Sequence, residues 1–304
     1  SKEASVRSEN RMHDKRSFFK YMPASTAKIV LENRTLRWSS PIEFNDPFDV
    51  PRELAFGVSP KEIQRALVEK LTQLIYEPPV NTDSLPEIIK VVLEAIKQSG
   101  NEELKKTMAK ALLEELDNSS NSNVALEEFQ SRWRQMIPEL RILCLSEHHD
   151  KASMWYHYAD KYQGAVVEFI CCDKTDSALL LAKKMDYPTQ KPGVYTAAGW
   201  ADFLLLPQRD ALESIINLAT YTKSPDWAYE DEWRVSTWKR SGEYGTVSDY
   251  PLNAAEFGNL YLGPLVSESD RHTLVELAKR FPNMKVFDTR IGMSREFLFE
   301  EIAG

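Results

Sequence analysis

Residues 141–172, RILCLSEHHDKASMWYHYADKYQGAVVEFICC, contain two apolar runs on either side of a helical segment. The runs RILCLS (141–146) and GAVVEFICC (164–172) consist mainly of apolar residues, many of them β-branched, which favours buried strands. Between them, Met154, Trp155 and Tyr158 recur at the three- and four-residue spacing of one helix face. The stretch therefore predicts a strand, a helix and a second strand in succession.

The rest of the chain indicates a sheet with helices packed around it. Predicted strands and helices do not alternate regularly, so a mixed or mostly antiparallel sheet fits better than a regular parallel one. We therefore predict an α+β fold with a mixed or mostly antiparallel sheet, surrounding helices and a helical insertion. Further strands are predicted at FFKYM (18–22), LRWSS (36–40), WAYEDEWRVSTW (227–238), LYLGP (260–264) and MKVFDT (284–289), and further helices at 23–35, 175–184, 198–219 and 267–281.

The predicted organisation is a single domain over residues 17–304, preceded by a flexible lead-in of residues 1–16. A helical insertion over about 59–138 interrupts this domain. Two sequences there match the capping box, Ser59 with Glu62 and Ser84 with Glu87, and so predict helix starts. After the second start, apolar residues at helical spacing predict one buried stripe, formed by Ile88, Val91, Val92 and Ile96.

The composition is that of a soluble globular protein. Hydrophobic residues make up 42% and charged residues 28% of the 304 residues, and the formal net charge is −8. This acidic balance gives no support for binding nucleic acid through the net field. No apolar run reaches the roughly 18 to 20 residues of a membrane span, so we expect a cytoplasmic protein without membrane contact.

The N-terminal region has a local basic excess that leaves nucleic acid open as a partner. Residues 1–37 carry nine basic residues against four acids, and Lys20, Arg34 and Arg37 are the candidate phosphate contacts. The basic residues are Lys2, Arg7, Arg11, Lys15, Arg16, Lys20, Lys28, Arg34 and Arg37.

Common catalytic and metal-binding motifs are missing from the sequence. It contains no phosphate-loop, dinucleotide-fold, zincin or serine-hydrolase signature, so these enzyme classes lose most of their support. Cys144, Cys171 and Cys172 include no CxxC pair, and we assign no metal ligand.

The segment WAYEDEWR (227–234) is the most distinctive in the chain. If it forms a strand, Glu230 and Glu232 share one face, because alternate residues of a strand point the same way. Two carboxylates flanked by aromatic residues can orient a sugar hydroxyl and stabilise positive charge at an anomeric carbon. An edge strand with solvated glutamates is the alternative.

Two other segments are candidates for a binding site. In FNDPFD (44–49), the turn residues Asn45 and Asp46 either bond their own backbone or hold polar groups against a ligand. In the helix of 150–162, Trp155 and Tyr158 either pack on the sheet or form the wall of a nucleotide pocket.

The segments FKYM, LRWSSPIEFNDPFD, CLSEHHDKASMWYHYADKYQGAVVEF and WAYEDEWRV together resemble a bacterial domain-of-unknown-function family with NDPF and YExEWR signatures. The chain also shows a more distant resemblance to the ADP-ribosyltransferase superfamily. Its first strand, helix and short second strand follow that superfamily's order, Lys20 stands where a His or Arg grips NAD, and Glu230 and Glu232 match its terminal E-x-E.

This resemblance implies an enzyme that uses NAD as its substrate, and it suggests a bacterial toxin or phage-defence effector acting on an unknown acceptor macromolecule. It implies that Glu232 stabilises an oxocarbenium-like transition state as nicotinamide leaves, and that Glu230 activates the acceptor. The candidate residues for binding the nucleotide are Lys20, Tyr21, Arg37, Ser39, Asn45, Asp46, Trp155, Tyr158 and Arg234.

Two other functions stay open on the sequence. One is a metal-dependent nuclease or phosphoesterase that holds Mg²⁺ or Mn²⁺ with Glu230, Glu232, Asp46 and either His148 or His149. The other is a non-enzymatic module that binds a nucleotide or a protein, with the helical insertion as its contact surface.

Overall fold

The computed structural model describes residues 9–52, 54, 57–118 and 121–302. The chain forms two compact units. Of the described residues, the first unit takes 9–45, 138–187 and 223–302, and the second takes 46–137 and 188–222. The predicted insertion of 59–138 falls almost entirely in the second unit. This unit also contains 188–222, which lies outside the predicted insertion.

The first unit is built on one mixed sheet, as the α+β prediction requires. All pairings are antiparallel except that of β8 with β9. The strands of the described residues are β1 (Ser17–Met22), β2 (Thr35–Ser39), β3 (Leu140–Ser146), β4 (Ala165–Ile170), β5 (Lys183–Lys184), β6 (Glu232–Trp238), β7 (Val247–Pro251), β8 (Phe257–Leu262), β9 (Val286–Ile291) and β10 (Phe297–Glu301). The predicted helix of 175–184 is instead a short 3-10 helix followed by β5, and β7 and β10 were not predicted.

Helices cover both faces of this sheet, because alternate residues of each strand point to opposite sides. On one face, Phe18 and Val167 pack with helices α1 (Ala24–Asn33) and α9 (Glu268–Ala278) in the main core. On the other face, Tyr21 and Val166 pack with α6 (Ala152–Tyr158) in an aromatic cluster. The helix and the two strands predicted from residues 141–172 are all confirmed.

Strand β3 is the point at which the sheet divides. One edge of β3 pairs with β6 along seven residues. The other edge is shared, since β1 pairs with it at Ser146 and β2 pairs with it at Ile142. Cys144 lies between these two positions, and the Nζ atom of Lys20 donates to its carbonyl at 2.8 Å. The lysine side chain therefore occupies the place where β1 and β2 separate.

The described part of the N-terminal lead-in is held on the first unit. The Met12 amide donates to the Leu180 carbonyl, and the buried His13 bonds the Leu179 carbonyl at 2.8 Å. Lys15 forms an ion pair with Glu147. Residues of the segment 11–16 thus make specific contacts with the first unit, and the flexibility of the lead-in stays a prediction; residues 1–8 lie outside the described part of the chain.

The second unit is helical in its described residues. Helix α2 begins at the predicted capping box, in which Ser59 and Glu62 each bond the other's backbone amide. The predicted helix of 198–219 is divided at Pro207, as the proline requires. The helices are α2 (Pro60–Tyr76), α3 (Glu87–Ser99), α4 (Glu102–Asn118), α5 (Asn121–Met136), α7 (Ala197–Leu204) and α8 (Gln208–Tyr221).

Two details of α3 correct the sequence reading. Pro86 stands at its N-cap without a side-chain cap, so the capping box predicted at Ser84 is wrong. Its buried residues are Leu93 and Ile96, whereas Ile88 is 74% and Val91 62% exposed. The helix thus carries apolar residues on more than one side and buries only part of the predicted stripe.

No helix among the described residues combines the length and the hydropathy needed to span a membrane.

Candidate functional site

Glu230 and Glu232 come together through a turn and not along one strand. Glu230 ends a 3-10 helix, Pro225–Glu230, and Glu232 begins β6. Asp231 between them adopts the left-handed conformation with φ 43°. The prediction of a continuous strand over 227–238 is therefore wrong in its first part, since Ser224 and Pro225 start a helical turn there. Both glutamates are buried, with 2% and 5% of their surfaces exposed.

One lysine bridges the two carboxylates. Lys223 Nζ donates to Glu230 Oε2 at 2.6 Å and to Glu232 Oε2 at 3.2 Å. The lysine is itself buried, so its charge and those of both glutamates are largely removed from water. Such an arrangement is stable only when every buried charge has a partner.

Arg234 completes the pairing of Glu232. The two residues lie two apart on β6 and therefore share a face. Arg234 Nε donates to Glu232 Oε1 at 2.6 Å, and Nη2 donates to Oε2 at 3.1 Å. The guanidinium is fully buried, and its carbon lies 5.3 Å from the centroid of the Phe44 ring. Arg234, which the sequence predicts to bind the nucleotide, thus forms an ion pair with Glu232.

Tyr158 at the end of α6 reaches the same place. Its hydroxyl donates to Glu230 Oε1 at 2.6 Å. The Glu230 backbone is fixed as well, because Ser146 Oγ at the end of β3 donates to its carbonyl at 2.8 Å. We call the set of Tyr158, Lys223, Glu230, Glu232 and Arg234 the carboxylate cluster.

The surroundings shift the pKa values of the two glutamates of the carboxylate cluster in opposite directions. Burial by itself raises the pKa of Glu232, but the charges of Arg234 and Lys223 outweigh burial and hold this pKa well below its usual value. Burial and the nearby Glu232 charge raise the pKa of Glu230 against the opposing effect of Lys223. Glu232 therefore remains ionised at neutral pH, and Glu230 holds a proton more readily.

Lys20 is a further cation beside the carboxylate cluster. Burial lowers the pKa of Lys20, and the charge of Glu232 opposes that change. The side chain is half-buried, and the carbonyl of Cys144 accepts its hydrogen bond. That Lys20 and the two glutamates share one site stays a prediction, and the effect of the Glu232 charge on Lys20 is the observation that links them.

Half-buried aromatic side chains adjoin the charged groups. Lys223 Nζ lies 5.0 Å from the ring centroid of Trp227, whose ring is 6.0 Å from that of Tyr229. The hydroxyl of Tyr187 accepts a hydrogen bond from the Glu232 amide at 3.1 Å. Burial raises the pKa of Tyr187, and burial with the Glu230 carboxylate raises that of Tyr158. The site therefore combines a charged interior with planar apolar surfaces.

Two predicted nucleotide-binding residues belong to the core instead. Trp155 is fully buried, and its Nε1 donates to the His149 carbonyl at 2.8 Å. Tyr21 packs edge-on against Trp155, and its hydroxyl donates to the His148 carbonyl at 2.8 Å. Trp155 has no exposed surface on which a ligand could stack, and the Tyr21 ring packs against Trp155 in the core, so the structure corrects this assignment.

Arg37 and Ser39 on β2 lie apart from the carboxylate cluster. The Arg37 side chain is 60% exposed and pairs with Asp249 of β7 at 3.0 Å. Ser39 lies within the sheet, in register with Ile142 of β3 and with Val247 of β7. Because Arg37 pairs with Asp249 of β7 and Ser39 is held between β3 and β7, neither residue reaches the glutamates.

The loop of 44–49 is shared between the two units. Asn45 is exposed and ends a segment of the first unit, whereas Asp46 begins the second. Asp46 Oδ1 accepts a hydrogen bond from the Phe48 amide at 2.9 Å. This local turn is the backbone-bonding alternative that the sequence allowed.

The histidines of the metal-dependent alternative make other contacts. The ring of His149 stacks on Tyr261, with the centroids 4.3 Å apart. His148 Nε2 lies 3.5 Å from Asp231 Oδ2, and Lys151 Nζ lies 3.3 Å from the same oxygen. Within the described ranges, no group of three or more His, Cys, Asp or Glu residues is arranged to hold a metal ion.

Two residues of the site were not found from the sequence. Lys223 and Tyr187 stand in loops that carry no motif, and they meet where the Lys223 amide donates to the Asp186 carbonyl at 3.0 Å. The one local signal is the Ser224-Pro225 helix start next to Lys223, which predicts a turn but no partner.

Comparison of the chain with models of protein families, with curated proteins and with solved structures gives no match.

Proposed function

We propose that this protein cleaves the bond between nicotinamide and ribose in NAD and transfers the ADP-ribose to an acceptor. The observation that carries the proposal is the buried pair of Glu230 and Glu232. Both carboxylates contact Lys223, and their pKa values are shifted in opposite directions. Two carboxyl groups of different pKa at one place are the means by which enzymes assign separate acid-base and electrostatic roles.

Glu232 is the electrostatic group in this proposal. Arg234 and Lys223 keep it ionised, and its position at the start of β6 is fixed by pairing with Ser146. As the C1′–N bond breaks, its electron pair passes to the nicotinamide nitrogen, which becomes neutral, and positive charge develops on the sugar. A preorganised carboxylate in a buried site stabilises that charge.

Glu230 is the proton acceptor. The acceptor oxygen forms a bond to C1′, and the proton of its hydroxyl group passes to a Glu230 oxygen. The products are the ADP-ribosylated acceptor, nicotinamide and one proton, and water in place of the acceptor gives free ADP-ribose. A carboxyl whose pKa lies nearer to neutrality suits general base catalysis better than an ordinary glutamate.

Binding of the dinucleotide is assigned to the groups at the edge of the carboxylate cluster. Lys20 supplies a positive charge for a phosphate, and Trp227, Tyr187 and Tyr158 offer ring faces or edges for nicotinamide. The resemblance to the ADP-ribosyltransferase superfamily supports the same assignment for Lys20, Glu230 and Glu232.

Nicotinamide release from NAD tests this function. We expect the wild-type protein to release nicotinamide and Glu232→Gln to lose at least about a hundredfold in rate, the scale of losing one preorganised electrostatic group. Glu232→Asp keeps the charge but withdraws it by one methylene, and should lose rate while retaining its ion pairs. Glu213→Gln, at an exposed position of α8, is the matched control.

Thermal unfolding of each variant separates loss of function from loss of fold. Because Glu232→Gln leaves Arg234 with a weaker partner, a lower melting temperature is expected for it, and Glu232→Asp is then the deciding variant. NAD that stays intact with folded wild-type protein, in water and with cell extract as a source of acceptors, contradicts the proposal.

A further inference from the structure

Lys223 is held both at its backbone amide and at the ammonium group of its side chain. Its backbone amide donates to the Asp186 carbonyl at 3.0 Å. Its Nζ atom lies 2.6 Å from Glu230 Oε2, 3.2 Å from Glu232 Oε2 and 5.0 Å from the centroid of the Trp227 ring. A long side chain held in this way loses considerable conformational entropy, so its contacts have to compensate for that loss.

The two glutamates depend on Lys223 to different degrees. Glu232 has the guanidinium of Arg234 as a second cationic partner. The carboxylate of Glu230 contacts the Lys223 ammonium and the hydroxyl of Tyr158. A hydroxyl stabilises a buried carboxylate far less than a cation does. Lys223 is therefore the main group that stabilises the ionised form of Glu230.

The other titratable groups near Glu230 do not replace that cation. Glu232 at the start of β6 repels a second negative charge, and Tyr158 from α6 is neutral. Tyr187, from the loop after β5, and Tyr229, in the same 3-10 helix, also lie within electrostatic range of Glu230. Both are phenols whose pKa burial raises, so neither carries a positive charge.

We propose that Lys223 is a positioning residue that keeps Glu230 ionised, so that this carboxylate can accept the proton of the attacking group. The use of that proton rests on the function proposed above, whereas the ionisation of Glu230 can be measured without NAD. Without Lys223, Glu230 holds the proton as the neutral acid and has no lone pair free to take another.

The first test uses the complete protein without NAD. In protein labelled with ¹³C at the glutamate carboxyl carbon, the Glu230 signal is assigned by its loss in Glu230→Gln. We expect this signal at the carboxylate position at neutral pH in the wild type and at the carboxylic acid position in Lys223→Met. Lys223→Arg should keep the carboxylate position, and Lys279→Met, at the exposed lysine that directly follows α9, should match the wild type.

The second test is the pH dependence of nicotinamide release. We expect the acid limb for Lys223→Met to move to higher pH by about one unit or more, as loss of an opposite charge within hydrogen-bond distance requires. Lys223→Arg should return the limb towards the wild-type position. A role limited to folding would lower the rate without moving the limb.

A carboxylic acid signal for Glu230 in the wild type at neutral pH overturns the proposal, and so does an unchanged carboxylate signal in Lys223→Met. If Lys223→Met does not fold, Lys223→Gln replaces it, because glutamine also removes the positive charge but keeps a polar group beside Glu230, and the same carboxylic acid signal is expected. If the wild type releases no nicotinamide while the signals behave as expected, the proposed function fails and the role of Lys223 in ionising Glu230 stands.

Discussion

The hydroxyl of Tyr158 donates a 2.6 Å hydrogen bond to Oε1 of Glu230, which lies 72 residues further along the chain. This bond joins the two segments that stand out most in the sequence, MWYHYAD and YEDEWR. It holds the end of α6 against the turn that precedes β6, and it gives a buried carboxyl group a hydrogen-bond donor in addition to Lys223.

Removing this hydroxyl tests how much the bond stabilises the fold. We expect Tyr158→Phe to lower the free energy of unfolding by about 2 kcal/mol, as for a hydrogen bond to a charged partner. Tyr156→Phe on the same helix should change it by less than about 0.5 kcal/mol, because Tyr156 is exposed. Urea unfolding at neutral pH measures both, and equal stabilities for the two variants would show that the bond contributes nothing.

The left-handed conformation of Asp231 makes a second prediction. Asp231→Gly and Asp231→Ala both lose the contacts with Lys151 and His148, so the comparison isolates the backbone. A Cβ is unfavourable at a φ of 43°, and we expect the alanine variant to be less stable than the glycine variant by about 1 kcal/mol. Thermal unfolding of the two variants measures this difference, and a higher melting temperature for Asp231→Ala than for Asp231→Gly would contradict this geometry.

His13 makes stability depend on pH. Burial lowers the pKa of His13 from its usual 6.5, so the unfolded chain takes up the proton first. This contribution to stability is present above about pH 6.5 and is lost as the pH falls below it. We expect the free energy of unfolding to decrease between pH 7 and pH 5 by more in the wild type than in His13→Gln. Parallel curves for the two proteins would be inconsistent with a buried neutral His13.

Helix α3 offers a test of which apolar residues pack. Leu93 is buried, so Leu93→Ala should cost about 2 to 5 kcal/mol through lost contacts and a cavity. Ile88 is mostly exposed, so Ile88→Ala should lie within about 0.5 kcal/mol of the wild type. If Ile88→Ala proves the more costly in urea unfolding, the stripe expected from the sequence is the buried one.

The sequence predicts this fold best where local pattern and packing agree. The strands β3 and β4 and the helix α6 follow from apolar runs and helical spacing, and Pro207 marks the break between α7 and α8. The strands β7 and β10 have no such signal, since β7 mixes apolar with polar residues and β10 has only three apolar residues before two glutamates. Their conformation depends on pairing with β2 and β9, which a local pattern does not contain.

For the candidate site, the sequence draws attention to the acidic pair but does not predict its geometry. Glu230 and Glu232 stand out in the sequence and both contact Lys223 in the fold, yet the turn at Asp231 is set by the 3-10 helix before it. Lys223 comes to the pair through tertiary contacts, which no spacing encodes. Trp155 shows the converse, because an aromatic residue at helical spacing packs in the core as readily as it lines a site.

A crystal structure of the wild-type protein with an NAD analogue that cannot be cleaved, in which a methylene group replaces the ring oxygen of the nicotinamide ribose, tests the central claim most directly. We predict that this ribose lies against Glu230 and Glu232, with C1′ in contact with a carboxylate oxygen of Glu232 and a phosphate within reach of Lys20. An analogue bound elsewhere, or crystals soaked at saturating analogue that show the carboxylate cluster unchanged and no ligand beside it, would contradict the claim.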